Sequence, residues 1–153
     1  MRSPVSLLVA FLLLSIAACA EQQEMAASVP APESIQRPSV AELQSTVRNR
    51  IPLKTKWSRI VVEEADRDSV KLAVIYNSMP TGHAEIEQDT TEIARVAIAA
   101  LVDAGRNPSQ ERLYLSVWAR KPETGETGKS LVRIFGKSSY NYHNDSIQYE
   151  RMK

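Results

Sequence analysis

The chain is poor in the residues that build cross-linked or reactive sites, with one cysteine and two histidines among 153 residues. A lone cysteine, Cys19, can form no intrachain disulfide, so the fold must stand on hydrophobic burial. An excess of charge of one sign is also missing: 19 Lys and Arg against 18 Asp and Glu give a formal net charge of +1. A balanced chain has no global field to draw polyanions, and nucleic acid is not expected as a partner. Long apolar runs are absent too. The longest, Val5 to Cys19, falls short of the roughly twenty residues that span a bilayer. No internal repeat is visible.

What is present begins with that run. Arg2 precedes it and Ile16-Ala17-Ala18-Cys19 closes it, the pattern of a cleaved export signal. The closing tetrad resembles the lipobox of bacterial lipoprotein precursors, in which a branched aliphatic and two small residues precede a cysteine that is acylated and becomes the first residue. The resemblance covers the export segment alone. It implies loss of residues 1–18 and a palmitate-bearing Cys19 as membrane anchor, with each buried methylene worth about 0.8 kcal/mol. It also accounts for an unpaired cysteine in an exported chain. Ala20 stands where aspartate would hold such proteins at the inner membrane, which implies an outer-membrane address facing the periplasm.

Residues 19–39 then turn to Glu, Gln, Ala, Ser and Pro, with Pro30, Pro32 and Pro38 blocking regular structure. Such a segment reads as a flexible tether. The folded part is expected over 40–153, as one domain.

Within it, Val40, Leu43, Val47 and Ile51 form a narrow helical stripe that Ser39 caps and Pro52 ends. Trp57 to Glu64 and Val70 to Tyr76 read as a hairpin. A long helix is predicted from about Asp89, with Glu92 in capping spacing, to Ala104, stopped by Gly105. Its apolar arc is too wide for one sheet face and requires a second neighbour, either the 40–51 helix or an external partner. Arg112 to Arg120 and Leu131 to Lys137 read as a second hairpin, and Ile147 to Glu150 as an edge strand. The sum is an α+β domain: an antiparallel sheet of four to five strands, with a long central helix and a shorter N-terminal one packed on one face.

Several side-chain sets invite chemistry. Thr124 to Ser130 ends in Gly-Lys-Ser, but Glu123 replaces the glycine a phosphate loop needs, and strand formers follow where a helix should open. A hairpin turn is expected there. His83, Glu85 and Glu87 would share one side of an extended segment, too few donors at a recognisable spacing to predict a metal. His143 and Asp145 flank a turn, and no serine elbow accompanies them. No cofactor is predicted. Arg48, Arg50, Lys54, Lys56 and Arg59 form a cationic run that could touch anionic head groups or simply be solvated. The most suggestive surface is aromatic: if Leu113, Leu115 and Val117 face the helix, Tyr114 and Trp118 face away. Arg133, Phe135 and Lys137 would stand across from them on the partner strand.

These features predict a non-enzymatic, membrane-anchored envelope lipoprotein that binds another envelope protein as an accessory or assembly module. A cell-wall glycan or small ligand on the same aromatic face is the alternative. A small hydrolase using His83 or His143 ranks third.

Overall fold

The computed structural model describes residues 37–152. The export segment, Cys19 and most of the expected tether lie outside the described residues. The first helix, α1 (Val40–Arg50), opens on a reciprocal cap: Ser39 Oγ accepts from the Glu42 N–H at 3.3 Å, and the Glu42 carboxylate accepts from the Ser39 N–H at 2.7 Å. Two otherwise unpaired donors are satisfied together, which fixes the helix start where the sequence pattern placed it. Leu43 and Val47 on its stripe are buried, and Ile51 buries at the exit before Pro52.

Strands β1 (Trp57–Ala65) and β2 (Ser69–Tyr76) form the expected hairpin, and β3 (Tyr114–Thr124) and β4 (Ser130–Asn141) the second one. The edge strand β5 (Ser146–Arg151) pairs with β4. The sheet order is β1-β2-β3-β4-β5. One expectation needs correction: β2 and β3 run parallel, from Ser69 opposite Tyr114 to Ile75 opposite Arg120, so the sheet is mixed rather than antiparallel. The cause is the helix between them. A helical crossover carries the chain back along the sheet, and the next strand then runs in the same direction as the last.

That helix, α2 (His83–Asp103), begins six residues before Asp89. Its start is set by Thr81, whose N–H and hydroxyl both donate to the Glu85 carboxylate in the first turn. Its end is a Schellman turn, with Arg106 N–H donating to Leu101 O at 3.0 Å and Gly105 N–H to Val102 O at 2.9 Å. Gly105 takes φ +81°, a left-handed value that suits glycine. The helix contacts β3, β4 and β5, while α1 contacts β1 and α2. Val102 on the wide apolar arc of α2 stays half-exposed.

Asp89 is not a cap. It sits inside α2, only 3% exposed, and accepts from Tyr76 Oη at 2.7 Å, Trp57 Nε1 at 3.0 Å and Lys54 Nζ at 2.7 Å. Lys54 also reaches Glu92 at 2.8 Å, and its ammonium lies 4.8 Å from the Trp57 ring centroid. Burial and the neighbouring Asp89 carboxylate push the Tyr76 phenol well above its ordinary value. One buried carboxylate thus ties α2 to β1, β2 and the segment before β1. A second clamp sits at the opposite end of the helix. The buried Arg106 guanidinium pairs with Glu111 at 2.6 Å and donates to the carbonyls of Asp66 and Arg67 in the β1–β2 turn.

Two outcomes follow for stability. Asp89→Ala strands two buried donors at about 1–3 kcal/mol each, so urea denaturation should show a loss of about 3–5 kcal/mol, well beyond Tyr76→Phe at about 1–2 kcal/mol. Equal losses would place the tie elsewhere. At the helix start, hydrogen bonds from Lys56 and Thr81 depress the Glu85 carboxyl from its ordinary 4.5 to about 2. A folded pKa below the unfolded one stabilises the fold above the unfolded value, and this contribution fades as pH falls through that interval. Glu85→Gln should therefore flatten the acid side of the stability profile between about pH 5 and 2, measured as denaturation midpoint against pH.

Candidate binding surfaces

The strand pattern decides which candidate residues meet. On the sheet face turned away from α2, Trp118 pairs with Lys137 on β4 and with Ala73 on β2. Ala73 and Ser116 are fully buried there, so small side chains make a shelf for the indole. Its Nε1–H donates to Ser116 Oγ at 3.2 Å. The Lys137 ammonium lies 5.2 Å and the Arg120 guanidinium 5.6 Å from the ring centroid. Both cations have acids of their own: Lys137 meets Glu150 at 3.0 Å, and Arg120 meets Glu63 at 2.5 Å. Trp118 is half-buried, with its edge and its flanks already engaged.

Phe135 does not join this face. The register shifts between Ala119 and Arg120, so β4 carries one extra residue there. The bulge turns Phe135 inward, 9% exposed, where its ring meets Tyr76 edge-on at 5.9 Å. Past that point the alternation inverts, and Val132 and Ile134 come out at 59% and 39% exposed on the face where Phe135 was expected. Arg133 lies on the far part of β4 and pairs with Glu123 at 3.1 Å. Tyr114 is exposed at the start of β3, four residues along the strand from Trp118 and about 13 Å away. Of the five residues predicted to form one surface, the structure brings together Trp118 and Lys137.

Beside the bulge, the Tyr149 ring crosses Gly136, where a Cβ would meet its hydroxyl at 2.5 Å. That hydroxyl is 3.0 Å from His83 Nδ1. His83, Glu85 and Glu87 are helical rather than extended, so neighbours in the triplet point about 200° apart. No group of three metal-binding side chains is placed together among the described residues. His143 stacks on Tyr142 at 4.2 Å, while Asp145, at φ +51°, accepts from Tyr140 Oη at 2.8 Å. In the cationic run, Arg50, Lys54 and Lys56 pair with Asp103, Asp89 with Glu92, and Glu85 respectively, all on α2. The Gly-Lys-Ser segment forms the β3–β4 turn, with Gly125 N–H donating to Lys129 O at 2.8 Å and Gly128 at φ +76°.

A feature that sequence reasoning missed lies beyond that bulge. Sheet pairing of β3 with β2 ends at Arg120, and that of β4 with β5 begins at Gly136. Residues 121–133 pair only with each other, and Ile134 pairs with Arg120 at their base. They form a two-stranded arm that runs about 15 Å past the sheet. Leu131, Val132 and Ile134 on this arm are among the most exposed large apolar side chains of the described residues. Read as Arg112 to Arg120 and Leu131 to Lys137, the two strands gave no sign in the sequence of this extension to Thr124 and Ser130.

No family model and no curated protein matches the chain. Among solved structures, the fold is similar to a sex pheromone staph-cAM373 precursor at 12% identity and a TM-score of 0.49. The likeness covers 77% of this chain, which spans 42% of that protein.

If the cations steady the indole, a double-mutant cycle on Trp118→Leu and Lys137→Met should return a coupling of about 0.5–1 kcal/mol in thermal or urea unfolding. A coupling of zero would reduce Trp118 to simple apolar cover.

Proposed function

We propose that the protein is a lipid-anchored, non-catalytic module of the cell envelope, held at the outer membrane through acylated Cys19, that binds another envelope protein. In this reading the long and the short helix together cover one face of the sheet, leaving the other face and the arm for partners. The observation that carries the proposal is the projecting arm. Exposed Leu131, Val132 and Ile134 on a ribbon outside the core contribute little to the fold. Apolar side chains held in water on a protruding element mark an interaction site. The lipobox-like tetrad Ile16 to Cys19 supplies the anchoring half of the proposal.

The glycan alternative has less support, because stacking a sugar needs an open ring face and Trp118 is flanked by Arg120 and Lys137. A hydrolase built on His83 or His143 has less still, since the first is engaged by Tyr149 and the second lies against Tyr142.

Cys19→Ser should move the protein from the membrane to the soluble fraction of lysed cells and remove the acyl mass from the mature N-terminus. A photo-cross-linker at Val132 should capture a discrete protein partner in intact cells, and one at Arg95 on the exposed side of α2 should not. An unchanged membrane fraction for the serine variant, or equal capture at both positions, would overturn the proposal.

A further inference from the structure

A sheet edge left open recruits another strand, and folded proteins blunt their edges for that reason. The other edges here are blunted. On β1, the Gln44 side chain of α1 takes the place of a neighbouring strand: its amide nitrogen donates to Ile60 O at 2.9 Å and its oxygen accepts from Val62 N–H at 2.6 Å. On β5, the edge strand is six residues long and carries Gln148, Glu150 and Arg151. In the arm, the outer edge of β3 carries Lys121 and Pro122, and a proline offers no N–H to a newcomer. The outer edge of β4 between Ser130 and Ile134 has no proline and no side chain capping its backbone, its one charge at Arg133 is turned to Glu123, and no described residue pairs with it.

Its hydrogen-bonding capacity can be assigned. Because Gly125 N–H bonds Lys129 O across the turn, antiparallel alternation makes Glu123 with Leu131 and Lys121 with Arg133 the bonded pairs. The N–H and C=O groups of Ser130, Val132 and Ile134 therefore point outward, away from β3. The two faces along this edge differ. Val132 and Ile134 present an apolar side, with Pro122 opposite Val132. Leu131 and Arg133 lie on the other, where Arg133 stands directly opposite Lys121 and the single acid Glu123 serves both. Over residues 121–134 three cations, Lys121, Lys129 and Arg133, face two acids, Glu123 and Glu126.

We propose that the β4 edge of the arm binds by strand addition, and that its occupant is an extended segment of a partner protein in which apolar and acidic residues alternate. The backbone groups of Ser130, Val132 and Ile134 supply the hydrogen bonds. Residues of one parity cover Val132 and Ile134, and acids of the other parity meet the cationic side at Arg133 and Lys121. A second copy of this chain fits less well. It would bring Lys129 and Arg133 along its own edge against the same cations. A five-residue edge also falls well below the roughly 1,200 Å² that a stable interface buries. The inference rests on the binding-module reading and specifies how the partner is held.

The test uses the acylated full-length chain in detergent micelles, ¹⁵N-labelled, titrated with two eight-residue peptides, one alternating valine and glutamate, the other valine and lysine. The valine–glutamate peptide should shift amide signals within 130–135, saturably, and bind about tenfold more tightly than the valine–lysine peptide. Arg133→Glu should reverse that preference, while Val132→Pro, which removes one outward N–H, should abolish binding by both with the core signals unmoved. The proposal is overturned if the shifts centre on Trp118 and Lys137, or if the two peptides bind alike. It is also overturned if the arm signals depend on protein concentration, as self-pairing requires, or if deleting residues 20–36 shifts them, as capture of the chain's own tether requires. A negative result here rejects strand addition alone, because fractionation and cross-linking judge the anchored-module reading separately.

Discussion

The Asp89 carboxylate is the contact on which the described fold most depends. A domain without disulfides must fix its helices by packing and by buried polar contacts, and Asp89 gathers Tyr76, Trp57 and Lys54 around a single side chain on α2. Apolar packing alone would let α2 slide along its groove, because alanines and branched aliphatics repeat along it at similar spacing. Three donors from the β1–β2 side admit one register. The cluster specifies position more than it adds net stability, since a desolvated carboxylate spends much of its attraction on its own burial. With α2 placed, Thr90 and Thr91 reach Ser138 on β4 at 2.7 Å and 3.2 Å, and His83 reaches Tyr149 on β5. Polar contacts thus run across the sheet from the same helix.

Much of this architecture was legible in the sequence, and the failures have identifiable causes. Capping by Ser39, the Gly105 stop and the two hairpins depend on local chemistry, so local patterns found them. The start of α2 was misplaced because Asp89 and Glu92 imitate a capping pair, while the carboxylate does its work through partners 13 to 35 residues away. The parallel pairing of β2 with β3 follows from the crossover and is invisible to strand patterning. For the candidate surface, one extra residue at Phe135 moved the error to every position beyond it: a period of two carries no record of a bulge. Phe135 consequently went to the core, and Val132 and Ile134 emerged instead.

The outer face and the arm differ in how fully their interactions are used. Around Trp118, each nearby cation has an acid, and the indole N–H has an acceptor. Such a face has little binding capacity left over. The arm is the reverse case. Its apolar groups are in water and its outward backbone groups have no partner among the described residues, so association there gains both burial and hydrogen bonds.

An isolated two-stranded ribbon is marginal in water, and the arm is held in shape at its base, its tip and between them. Its base is fixed by the bulge, where Phe135 anchors in the core against Tyr76. Its tip is closed by the Gly125 to Lys129 turn, in which Gly128 takes the left-handed φ that a side chain resists. Between them Glu123 spans Lys121 at 3.5 Å and Arg133 at 3.1 Å, offsetting the repulsion of two cations placed opposite each other. Such exposed pairs contribute about 0.2–1 kcal/mol, which leaves the arm at the low end of local stability. Little ordering cost has been met in advance, so a strand added to β4 must order the arm as well as bind it. Under the strand-addition proposal, binding there is weak per contact and readily reversed.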